Sequence, residues 1–299
     1  MKKLPARWIP QLSANTWIRI AAGLVVVLGF FINEIEWVEV RFVQQMELLA
    51  YDQRLRLFMP NTLDTRVVIL DIDEKSLNAE GRWPWSRDKV ALMVRQLFDK
   101  YGVRVVGFDI AFAEADTSSG LTTLDSLAKN ELKNDAEYLA TLNQRRASLD
   151  YDQILADEVL KHPVVLGFFL GGKIEKSGTL PSPILTDRTV TDKGWVFKHH
   201  AATGFSGNVD QLQKNATAAG HLYPALDFDG LVRRVPMLMK YADGYYESLS
   251  LAITRTYLGN VPLKAFVRPP DVGNLATIWR LQIGDIHVPL DERMTSLVP

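Results

Sequence analysis

Two groups of side chains in this chain have types and spacings that could do chemistry. The first is acidic. Asp71 and Asp73 close the apolar stretch RVVILDID (66–73), and Asp109, Glu114 and Asp116 end or follow a second one in VRVVGFDIAFAEAD (103–116). If both stretches are strands of an open α/β sheet, the carboxylates collect at one carboxyl edge, where such sheets bind ligands and metals. Converging there, their oxygens would hold a hard cation such as Mg²⁺ or Ca²⁺, with Asp71, Asp73 and Asp109 as candidate ligands. The same acids serve equally well as helix caps and acceptors for loop N–H groups. The second group is Arg82, Trp83, Trp85 and Arg87 in GRWPWSR (81–87). Two indoles fixed around Pro84 could line a pocket for an apolar or cationic ligand. They could instead plug the edge of the domain, with Arg82 or Arg87 neutralising Asp71 or Asp109.

Other chemistries are poorly served. The chain has no cysteine, which removes disulfides, thiolate zinc sites and cysteine nucleophiles. Its five histidines are scattered, and the one adjacent pair, His199 and His200, would point to opposite faces of a strand. Asp227 and Asp229 are too few to ligate calcium and fit a turn better. A net charge of −1 makes no global electrostatic case for nucleic acid. A strand-end D-x-D also opens phosphatases of the haloacid-dehalogenase type, so a metal-dependent ectophosphatase-like enzyme is an alternative. DIDEKS lacks the glycine–threonine that should follow, and no paired lysine motif appears.

The elements that must position these groups come from periodicity. Residues 66–72, 103–110 and 164–170 are short apolar runs rich in β-branched or aromatic residues, which predicts buried strands. Between the first two, Ser86 can cap a helix with Asp88 in its first turn. Val90, Met93, Val94, Leu97, Phe98 and Tyr101 form its apolar face, and Gly102 ends it. Strand, helix, strand with both strands apolar implies a parallel pair joined by a crossover. Residues 120–149 are a polar, helix-prone insertion, and 151–160 form another helix before Pro163. Residues 171–207 read as loop. Segments 219–223 and 231–241 flank the turn DFDG (227–230), 247–258 form an amphipathic helix, and 278–283 with 286–290 form a hairpin about Gly284-Asp285. The fold class is therefore α/β, with a mixed sheet: a parallel βαβ front half and antiparallel hairpins behind. The final SLVP has no terminal helix or cap and reads like an end inside a domain.

The N-terminal part differs from the body. Residues 1–19 carry Lys2, Lys3, Arg7 and Arg19 and no acid, 20–32 carry no polar side chain, and Glu34, Glu36, Glu39 and Glu47 follow against Arg41. Positive before and acidic after an apolar run predicts one transmembrane helix with the body outside the cytoplasm. The expected organisation is a cytoplasmic basic tail (1–16), a membrane anchor (17–35), a stalk helix (36–60) and an extracytoplasmic domain (61–299). The stalk's apolar positions could pack on the domain or on a second copy.

The residues then match a family pattern. VVILDIDEKSLNAEGRWPWSR (67–87) and VRVVGFDIAFAEAD (103–116) resemble the CHASE-type extracellular sensory domain of the second type, found with cyclases and histidine kinases. Its pattern is a strand ending in D-x-D/E, then GRWPWPR, a helix, and a strand ending GFDxxFxEPD. YDQRLR (51–56), DFDGLVRRVP (227–236), YYESLSLAI (245–253) and IHVPLDER (286–293) extend the resemblance over roughly residues 45–299. Ala115 stands where the family has the proline of EPD. The resemblance implies an input domain in the bacterial cell membrane that binds an extracytoplasmic small-molecule or protein signal and is a homodimer in the full-length protein. It also implies an output beyond this chain: a class III adenylate/guanylate cyclase, or in other relatives a histidine kinase or diguanylate cyclase. No catalytic residue and no cofactor other than a divalent cation is expected within these residues.

Overall fold

A computed structural model describes residues 14–34, 41–59, 64–271 and 273–298. The chain divides into two compact units, Met1–Ile69 with Pro299, and Leu70–Val298.

Among its described residues the first unit contains the helices Ala14–Glu34 and Arg41–Phe58. The first lies where a membrane anchor is expected, but no helix among the described residues is long and apolar enough to cross a membrane. Asn15, Thr16 and Arg19 at one end and Asn33 and Glu34 at the other leave only 20–32 uninterruptedly apolar. At 1.5 Å per residue that run is about 20 Å long, against a hydrocarbon core of about 30 Å. The second helix ends at Phe58, as the stalk periodicity predicts, and none of its residues is buried. The start of the stalk and its expected stop, Pro60, lie outside the described residues.

The second unit is a mixed α/β domain, and its parallel part is built differently from the expectation. Residues 66–72 form no strand: Val67, Val68 and Ile69 are 74–88% exposed, and a turn bond from Val67 N–H to the Asp64 carbonyl precedes them. β-branched residues favour a strand only where a sheet edge pairs with them, and among the described residues none does. Of 103–110 only Val106–Gly107 is a strand, and it pairs in parallel with the start of Val164–Gly171. That strand, all but one of whose residues are buried, also pairs in parallel with Ala218–His221 and antiparallel with Gly204–Ser206. The expected hairpin partner of 231–241 has thus joined another sheet. Ala225–Leu226 pairs with Val232–Pro236 instead, across the DFDG turn. The 171–207 segment is not all loop, since Leu185–Thr186, Val196–Phe197, His200–Ala202 and Gly204–Ser206 are short strands.

Helices follow the sequence more closely. Arg87–Asp99 buries Val90, Ala91 and Val94, although Ser86 at its N-cap makes no side-chain capping bond. Tyr151–Lys161 is capped by Asp150, which accepts from the Gln153 N–H. The hairpin of Leu275–Ile283 with Ile286–Pro289 turns at Gly284, whose φ of 57° suits a residue without Cβ.

Two apolar cores flank one sheet, ordered Leu185–Thr186, Gly244–Glu247, Leu238–Tyr241 and His200–Ala202. Neighbouring strand residues point to opposite faces. Tyr246 and Met239 accordingly enter the core around Phe168 and Leu166, while Tyr245 and Leu238 enter the core around Ile278 and Leu281.

Candidate functional site

Arg87, in the first turn of its helix, is the junction of both sequence motifs. It is 8% exposed. Its guanidinium donates to the Asp152 carboxylate and to the Glu114 main-chain carbonyl, and lies 5.2 Å from the centre of the Phe112 ring. Its own N–H donates to Asp116 Oδ2 at 2.7 Å, and the Asp116 N–H donates to Asp152 Oδ2 at 3.0 Å. Asp116 Oδ1 accepts from the Ser118 N–H at 2.8 Å. Burial pushes the Asp116 carboxyl up, but the bonds from Ser118 and from the Arg87 N–H, with the Arg87 charge, outweigh it and hold it below its ordinary value. Every carboxylate oxygen of Asp116 and Asp152 therefore has a donor. The arrangement is a lock joining two helix starts to the FDIAFAEAD loop.

The loop is pinned from its other side by Asn208, which is fully buried. The Asn208 side-chain carbonyl accepts from the Phe112 N–H at 2.8 Å, and its amide donates to the Gly167 carbonyl at 3.1 Å. The loop runs so close to Gly167 that a Cβ there would lie 2.6 Å from the Phe108 carbonyl oxygen. Glycine is needed for that approach.

The other acids do not converge. Asp73 caps the helix Glu74–Glu80, accepting from the Ser76 N–H at 2.8 Å and its hydroxyl at 2.7 Å, and these bonds hold its carboxyl low. Asp71 and Asp109 are exposed, and the exposed Glu114 contributes its main-chain carbonyl to the lock. Among the described residues no group of three or more histidines and acids could hold a metal ion. Asp71, Asp73 and Asp109, the expected ligands of Mg²⁺ or Ca²⁺, are not gathered in such a group, and the run ending in Asp71 is not a strand. Trp85 packs against the first core and donates its indole N–H to the Gly81 carbonyl at 2.9 Å, which is the plugging role. Trp83 lies edge-on to it at 5.8 Å and is 38% exposed, and Arg82 is exposed. Arg87 is the neutralising arginine, but its partner is Asp152.

Asp152 escapes sequence reasoning because it sits 65 residues from Arg87 and reads as an ordinary first-turn acid. So does a buried pair in the second core, Glu247 and Arg255. Glu247 follows the strand residue Tyr245 on the same face, and Arg255 is on the next helix. Nearby, Asp187 accepts from Lys240 Nζ at 2.7 Å and from the Tyr245 hydroxyl at 2.8 Å.

The motif residues of this two-core α/β body hold loops together. The model for the CHASE2 domain covers residues 21–298, and the chain belongs to that family, the extracellular sensory domains of signalling proteins. No curated protein and no solved structure matches the chain.

Proposed function

We propose that this chain is the extracytoplasmic input domain of a longer signal-transduction protein whose output is a class III adenylate/guanylate cyclase. A histidine kinase or diguanylate cyclase output is the alternative. The observation that carries the reading is the family match across residues 21–298. Contact with the signal, a small molecule or a protein, falls on residues among Asp71, Asp73, Arg82, Trp83, Trp85, Asp109, Glu114 and Asp116. Four of these, Asp71, Arg82, Asp109 and Glu114, are exposed and make no side-chain ion pair among the described residues. The Arg87–Asp152–Asp116 lock ties down the backbone at Glu114 and Asp116. The full-length protein is a homodimer, which accords with a helix Arg41–Phe58 that buries none of its side chains and exposes Phe42, Met46 and Leu49.

An input domain makes no product. Incubated with ATP or GTP and Mg²⁺ or Mn²⁺, the purified chain should yield no cyclic nucleotide. Turnover that disappears in Asp71→Asn or Asp109→Asn would replace the sensory reading with an enzymatic one.

A further inference from the structure

The hairpin sheet Leu263–Arg268, Leu275–Ile283 and Ile286–Pro289 turns one face to the second core through Leu263, Ile278, Leu281 and Ile283. Its other face carries Lys264, Phe266, Arg268, Trp279 and Arg280. A register shift at Phe266/Val267 breaks the two-residue alternation, so that Trp279 and Arg280 are both half-buried between the buried Ile278 and Leu281. The groups on this face interleave. The Arg280 guanidinium lies 4.2 Å from the Phe266 ring centre and 4.5 Å from that of Trp279. Lys264 Nζ is 5.1 Å from Phe266, and the Arg268 guanidinium is 5.9 Å from Trp279.

Two features of this face point to a partner. Its three cations have no acidic partner among the described residues, and Arg280 Nε is buried with no hydrogen bond. The two acids of 261–290, Asp271 and Asp285, lie off the strands, at the loop and the turn. The charge here is therefore uncompensated, in a chain whose net charge is −1.

Aromatic rings edged by lysine and arginine are the combination that settles at the headgroup level of a bilayer, with rings toward the acyl boundary and cations on phosphates. The chain has a second lipid-compatible surface in the helix Ala14–Glu34, where Trp17, Ile18, Leu24, Val25 and Val27 are more than half exposed. We propose that the Lys264–Phe266–Arg268–Trp279–Arg280 face docks on an anionic phospholipid surface. Contact with the bilayer then fixes the orientation of the hairpin sheet, and with it the second core. The inference does not depend on which signal the domain reads or which output follows.

The full chain, with Thr277→Cys carrying a polarity-sensitive fluorophore, tests this. Thr277 pairs with Arg268, and the chain has no other cysteine. Vesicles containing phosphatidylglycerol should shift the emission to the blue, and 0.5 M salt should reverse it, while phosphatidylcholine vesicles should leave it unchanged. Each cation near an anionic surface strengthens binding about fivefold. The Lys264→Gln/Arg268→Gln pair should therefore weaken the phosphatidylglycerol response about 25-fold, and Lys264→Glu/Arg268→Glu should weaken it further. Both sites are exposed, so an unchanged melting temperature confirms the fold. Equal shifts on the two lipids, or a shift that survives charge reversal, would overturn the proposal. So would a shift produced by soluble dextran sulfate but not by phosphatidylglycerol, which would assign the face to an acidic polymer.

Discussion

Glu247 Oε1 accepts a hydrogen bond from Arg255 Nη1 at 2.5 Å, and both side chains are almost wholly out of water. The other carboxylate oxygen, Oε2, is buried with no partner, while Arg255 Nε donates to the Val261 carbonyl at 2.9 Å. The pair ties the strand Gly244–Glu247 to the helix Leu249–Tyr257 and to the turn after it. A buried ion pair carries a desolvation cost that its attraction does not always offset. Here burial raises the Glu247 carboxyl to about 7, with the Arg255 charge and hydrogen bond pulling the other way and losing.

That raised value gives stability a definite pH dependence. Folding lifts Glu247 from its ordinary 4.5 to about 7, so the folded state holds the proton more tightly. Its contribution is complete below about pH 4.5 and is lost as pH rises through 7. At about 1.4 kcal/mol per unit, the ceiling is roughly 3 kcal/mol. His221 acts in the opposite sense: burial, with the like charge of His200, lowers it to about 3, so its contribution is present above about pH 6.5 and is lost toward acid. Between about pH 4.5 and 6.5 the two slopes oppose one another, so urea unfolding at a series of pH values should show little net change from this pair. Glu247→Gln should remove the falling slope and leave stability rising with pH across that window. A profile identical to that of the wild type would mean that Glu247 is ionised in the folded state.

Arg87 and Asp152 are each about one-tenth exposed, and removing one leaves the other charged and buried. Arg87→Ala and Asp152→Ala should each cost about 3–5 kcal/mol. The apolar double substitution Arg87→Met/Asp152→Leu should cost clearly less than the sum. Arg82→Ala, at an exposed position, should stay within about 0.5 kcal/mol of the parent. Denaturant midpoints measure all four. Additive losses for Arg87 and Asp152 would show that the two do not act as a pair.

The sequence was most legible where one element carries its own pattern. The apolar face of Arg87–Asp99, the continuous run of Val164–Gly171 and the glycine turn at 284 each follow from local spacing. It was least legible where pairing is decided at a distance. The strands within 171–207 are two or three residues long, and their partners lie tens of residues away. Too short for a periodic signal, they read as loop. The error at 66–72 is the converse: a strong strand composition that forms no strand among the described residues. The expected carboxylate cluster fell with that strand, because Asp71 and Asp109 were brought together only by assuming it. The lock was only partly visible in the sequence. Arg87, Glu114 and Asp116 stand in the two motifs, and only Asp152 and Asn208, contributed by other elements, had no local signal.

The central claim is that the α/β body faces a signal outside the cytoplasm, and Ser118 gives the most direct reading of it. Ser118 is exposed, beside the Asp116 carboxylate that accepts its N–H, and the native chain has no cysteine to confuse the result. Ser118→Cys should react with a membrane-impermeant maleimide applied to intact spheroplasts, to the same extent as after lysis. Labelling that appears only after lysis would place the body in the cytoplasm and contradict the account.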